Sequence, residues 1–115
     1  MKFLCLAYAD EAGWNSMSEE EKREVLAQDA VIRSRGNFMS AVQTTVTSVR
    51  NWDQNLEISH EAFAGTELPL AGFSVIEARD VDEVINLVSN TPCARAKGVI
   101  EIRAFWNPDD IKSDR

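Results

Sequence analysis

The 115-residue chain predicts an α+β fold, one antiparallel sheet with two helices on a single face. Three observations carry that expectation. The chain opens on an apolar run, "KFLCLAY", that reads as a buried strand. Two stretches with helical apolar spacing and capping signals are each flanked by strand-like segments. Between the two helices lie several short runs rich in β-branched and aromatic residues.

The first strand, residues 2–8, has two apolar faces: Leu4, Leu6 and Tyr8 on one, Phe3, Cys5 and Ala7 on the other. A strand of this type is covered on both sides. The opening nonapeptide "MKFLCLAYA" has the outline of a minimal secretory leader, but Asp10 and Glu11 follow at once, and a buried strand is the expectation. In "MSEEEKREVLAQDAVIRSRG", Ser18 is the expected N-cap and Glu21 its partner in a capping box. Glutamates fill the first turn, arginines the last, and Gly36 supplies the stop. Val25, Leu26, Ala30 and Ile32 mark the expected buried stripe, and Asp29 falls beside it between Val25 and Ile32.

Strands are expected at "NFMSAVQ", "TVTSVRNW" and, after the turn "DQN", at "LEIS". If the last of these runs on to His60, that side chain shares the direction of Leu56 and Ile58, toward a covered face. "AGTELP" is a loop and "LAGFSVIEA" a strand. The second helix, "DVDEVINLVSN", takes Asp80 as N-cap and buries Val81, Val84, Ile85 and Val88. Pro92 ends it, Cys93 lies in the loop beyond, and "GVIEIRAFW" closes the sheet. Residues 1–106 then make one domain and 107–115 a polar tail. The order β-α-β-β(β)-β-α-β is the split βαβ, ferredoxin-like pattern. Two helices cover one sheet face only. The other face, with Tyr8, with Phe73 or its strand neighbours, and with Trp52 and Trp106, is left to be buried by a second subunit or to line a cavity.

Composition narrows the function classes. A net charge of -7 argues against nucleic acid, and the arginines 33 and 35 read as a helix end. Nothing approaches the ~18 apolar residues of a membrane span. Two distant cysteines give no disulfide framework, so a reducing cytoplasm is the expected compartment. One histidine and two cysteines supply no zinc set. No glycine-rich phosphate loop is present, so no metal and no cofactor is expected.

Two clusters bear on chemistry. His60, the single histidine, can donate and accept a proton near neutral pH, with Asp10 or Glu61 as a carboxylate to orient it. The plain alternative is a strand-end histidine bonded to a loop carbonyl. Tyr8, Asp10, Glu11 and Trp14 sit where the first strand meets the helix; the aromatics can flank a planar ligand, or Trp14 can simply lid the core. Arg103 alternates with Glu101 on the last strand and either pairs with it or holds a ligand carboxylate.

"KFLCLAYADEAGW", "RSRGNFMSA", "LAGFSVIEARDVDEVINLV" and "GVIEIRAFW", in this order and spacing, resemble the YCII-related proteins of the DGPF subgroup. The resemblance spans residues 1 to 106. It implies membership of the dimeric α+β barrel superfamily, a homodimer packed sheet to sheet, and a pocket for a small aromatic or carboxylated metabolite in which Phe63 is a ligand contact. The subgroup's "DGPFAETKE" stretch corresponds here to "HEAFAGTEL". Phe63, Ala64 and Thr66 are retained, while His60, Glu61 and Ala62 replace the Asp and the Gly-Pro turn. The first-helix histidine of the wider family has no counterpart. A cofactor-independent enzyme using His60 and Asp10 is one function the resemblance allows. A ligand-sensing or sigma-factor-associated regulatory module, or a purely structural dimer, is the alternative.

Overall fold

The computed structural model describes residues 1–110. Strands β1 (Lys2–Tyr8), β2 (Phe38–Ala41), β5 (Leu70–Glu77) and β6 (Val99–Ala104) form one antiparallel sheet in the order β2-β5-β1-β6. β5 lies between β1 and β2, and β1 between β5 and β6, so each helical crossover spans an intervening strand. This is the ferredoxin-like split βαβ topology. The polar tail begins in a short 3₁₀ turn at Pro108–Asp110; its residues 111–115 lie outside the described residues.

The long helix α2 (Glu19–Ser34) begins as its sequence requires. The Ser18 hydroxyl accepts from the Glu21 amide at 3.1 Å, and the Glu21 carboxylate accepts from the Ser18 amide. α3 (Val81–Val88) is capped by Asp80, whose carboxylate takes the Glu83 amide at 2.9 Å. Both helices pack on one sheet face. There Phe3, Cys5 and Ile76 meet Ile32, Val84 and Val88 in the main core. Gln28 donates to the Leu87 carbonyl at 2.7 Å and ties α2 to α3. The buried stripes are narrower than expected. Leu26, Ala30, Val81 and Ile85 are exposed, because each helix meets the sheet along one line of side chains.

Two further short helices lie where turns and loops were expected. α1 (Glu11–Asn15) follows β1 directly, and α4 (Pro92–Arg95) starts at Pro92, with Cys93 inside it. Pro92 therefore opens a helix, as its fixed φ allows at a first helical position. A second, smaller core of Met17, Val25 and Ala96 sits beneath Trp14.

β3 (Ser48–Trp52) and β4 (Asn55–Ser59) form a separate two-stranded sheet. Asp53 and Gln54, with φ of 53° and 62°, supply the tight left-handed turn such a hairpin needs. This corrects one expectation: β4 stops at Ser59, and Leu56 and Ile58 are 60% and 58% exposed, so His60 does not continue a covered strand face. Among the described residues the hairpin strands pair only with each other.

Opposite the helices the main sheet is open. The register sets Phe38, Val75, Leu4 and Arg103 in one row across this face and Ser40, Phe73, Leu6 and Glu101 in the next. Leu4, Leu6, Phe73 and Val75 are only half-buried, and Phe38 is exposed against Phe73, their rings 5.5 Å apart.

Candidate functional site

The site grows from the end of β1. A register shift between Ala7 and Tyr8 turns the chain, and the Ala9 amide donates to the Pro69 carbonyl at 3.2 Å. Asp10 then caps α1: its Oδ1 accepts from the Gly13 amide at 2.9 Å. The cap directs α1 across the top of the sheet, where Trp14 is sandwiched between the small core and the Lys22 ammonium, 5.3 Å from its ring centroid. α4 approaches from the other side. Arg95 holds it to α2 through Glu21 and Glu24, each at 3.6 Å.

Between these elements run three connected hollows. The first, about 600 Å³, is lined by Asp10, Glu11 and Trp14 with Thr44, Pro69 and Cys93. The second, about 730 Å³, is lined by Tyr8, His60 and Phe63 and by the loop residues 42–47. Thr44 and Pro69 belong to both walls, so the two form one bent groove. Its size suits a small organic molecule. The third is an interior pocket of about 150 Å³ between the helices and the sheet, reached past Pro92 and Cys93.

The groove thus divides the residues expected from sequence. Tyr8, His60 and Phe63 share one arm; Asp10, Glu11 and Trp14 share the other. Among the described residues, neither Asp10 nor Glu61 hydrogen-bonds the His60 ring; Asp10 is engaged by Gly13. Arg103 lies outside the groove, on the open sheet face, where Nε and Nη2 both donate to Glu101 at 3.0 and 2.9 Å. No cluster of three or more histidine, cysteine, aspartate or glutamate side chains suited to a metal occurs among the described residues. No helix among them is long and apolar enough to cross a membrane.

A scan of family models matches the YCII-related domain over residues 1–107. The chain belongs to the YCII-related family. No curated protein matches it. Among solved structures it is similar to 5-chloro-2-hydroxyhydroquinone dehydrochlorinase (TftG) from Burkholderia phenoliruptrix, in complex with 2,5-dihydroxybenzoquinone. The identity is 17% and the TM-score 0.48, over 95% of this chain and 97% of that one.

Sequence reasoning gave the interior pocket no role, although the position of Asp29 beside the α2 stripe hinted at it. Asp29 projects from α2 into that pocket beside Cys5 and Cys93. Burial raises the pKa of its carboxyl, an effect that Arg33 one turn on offsets in part. Cys93 is also raised, by burial and then by the Asp29 charge; Cys5 is raised by burial against a hydrogen bond with Ser74. Both thiols are therefore poor nucleophiles at neutral pH.

The Asp29 shift fixes a sign for stability. With the folded pKa raised, its contribution is fully present below the unfolded value and is lost as pH rises through the folded one. Asp29→Asn is therefore expected to melt higher than the parent at pH 7, with the gap closing toward pH 4. Thermal melts of both proteins across that range measure it. A gap that widens on acidification contradicts the assignment.

Proposed function

We propose that this protein binds a small metabolite in the bent groove and that His60 exchanges a proton with it, without a cofactor. The observation that supports this is the grouping of Tyr8, His60 and Phe63 in one arm, continuous with the Asp10, Glu11 and Trp14 arm. Tyr8 and Phe63 offer faces for a planar ligand, and Trp14 closes the far end. An imidazole carries one nitrogen that donates and one that accepts, so it can both give and take a proton. Asp10 and Glu11 provide an acidic wall that favours hydroxyl or amine donors. Arg103, engaged by Glu101 on the open sheet face, is better placed to act in a subunit contact than on the ligand.

We further infer a homodimer, formed by the open sheet faces of two copies. Half-buried Leu4 and Val75 in one row and Leu6 and Phe73 in the next support it, since contiguous apolar surface left open on a sheet face favours a partner. Two free cysteines and no membrane-crossing helix among the described residues are in keeping with a reducing cytoplasmic setting.

One observation favours a second reading, a binding module without chemistry: His60 has no carboxylate hydrogen-bonded to it among the described residues. Deuterium exchange separates the two. Small aromatic and carboxylated compounds that perturb groove amides in NMR spectra are incubated with the protein in D₂O. Catalysis predicts deuterium entering a bound compound, with His60→Ala slowing the exchange by about 10²-fold or more while leaving Kd largely unchanged. Binding without exchange in the parent protein supports the second reading.

A further inference from the structure

The interior pocket differs in kind from the groove. Its walls are mainly apolar, from Ile32, Val88 and Ile100 among others, and its polar groups are nearly all occupied. Thr91 donates its hydroxyl to the Val88 carbonyl at 2.6 Å, and Ser74 is hydrogen-bonded with Cys5. Asp29 is the exception. It is half-buried and, among the described residues, accepts no hydrogen bond. No side-chain oxygen among the described residues is both buried and unpartnered, so the Asp29 carboxylate keeps access to solvent, while partial burial raises its pKa. A free acceptor on the wall of an apolar hollow of ring size is the arrangement of a binding subsite.

We propose that this pocket is the inner subsite of the groove, taking an apolar group of about one six-membered ring whose hydroxyl or amine donates a hydrogen bond to Asp29. The volume, about 150 Å³, is that of a cavity known to admit benzene. The wall shared through Ala71, Pro92 and Cys93 lets one ligand span both spaces. The Asp29 charge sets the selectivity. A carboxylate or phosphate at the inner end of the ligand meets a like charge at close range, so the anionic part of any ligand stays in the outer groove. Arg33, on the same helix, lies outside the pocket lining and does not reverse that sign.

This rests on the groove being a ligand site, and the experiment keeps the two apart. Phenol, toluene and benzoate are titrated as probes into isotope-labelled protein, and amide shifts are followed. Phenol and toluene are expected to move the amides of Asp29, Thr91, Cys93 and Ile100, and benzoate to leave them unmoved. Asp29→Ala is expected to lower the phenol-to-toluene affinity ratio about tenfold, the loss of one charge-assisted hydrogen bond. Asp29→Asn, which keeps the shape and a weaker acceptor, gives a smaller drop, and His60→Ala gives none. Shifts confined to Tyr8, Thr44 and Phe63 overturn the inner subsite and leave the groove reading intact. A ratio unchanged in Asp29→Ala, or benzoate bound against Asp29, overturns the assignment of Asp29.

Discussion

In the proposed sheet-to-sheet dimer, Leu6→Lys is expected to separate the two copies into monomers. Leu6 lies at the middle of the central strand β1, with Phe73 beside it on β5 and Glu101 on β6, on the face that no helix covers. The helices bury Phe3, Cys5 and Ile76 on the opposite face, so the lysine would not disturb the protomer core. In a sheet-to-sheet dimer the same position lies near the centre of the contact. A stable interface buries about 800 Å² per partner, and an unpaired ammonium at its middle costs several kcal/mol, enough to weaken association by about 10²-fold or more. Light scattering at micromolar concentration should give twice 12.9 kDa for the parent chain and the single mass for Leu6→Lys, with unchanged far-UV circular dichroism. A parent protein that runs as a monomer, or a variant that stays dimeric, would remove the sheet-to-sheet argument.

That argument was legible in the sequence because strand periodicity is local. Alternate residues of "KFLCLAY" face opposite ways whatever they pair with, so two apolar faces on β1 foretell two coverings. Helix caps are legible for the same reason: Ser18 with Glu21, and Asp80 with Glu83, complete their hydrogen bonds within four residues. What depends on distant pairing was not legible. "SVRNW" and "NLEIS" alternate as strands of the main sheet would. Only their closed turn at Asp53 and Gln54, and the lack of a third strand among the described residues, set them apart as a hairpin. α1 and α4, five and four residues long, are too short to show a helical period. The same limit applies to the site. Tyr8, His60 and Phe63 are chemically conspicuous in any sequence. Asp29 became a candidate only when the fold put Cys93 and the sheet around it.

Gly13→Ala is expected to destabilise the fold by about 3 kcal/mol, against what helix propensity alone would give. Gly13 lies inside α1, where replacing glycine by alanine ordinarily gains about 1 kcal/mol. Its φ is not positive, so the backbone itself would accept a side chain. The obstacle is α4. A Cβ at Gly13 would overlap the carbonyl oxygen of Ala96, and Gly98 stands in the same relation to the carbonyls of Tyr8 and Cys93. These are backbone atoms, which cannot turn aside as a flexible side chain does, and overpacking of this kind costs roughly 1–3 kcal/mol or more. The clash therefore outweighs propensity. Relief requires α1 and α4 to part, which opens the small core under Trp14 and removes the wall that Asp10, Glu11 and Cys93 share. A melting temperature lower by about 10 °C or more is the expected reading. Gly65→Ala is the control, since a Cβ there meets nothing within 4 Å, and it should melt at or slightly above the parent temperature. If Gly13→Ala melts with the control, α1 and α4 are not in close contact in solution, and the groove between them has a different shape from the one that places Asp10 and Trp14 together.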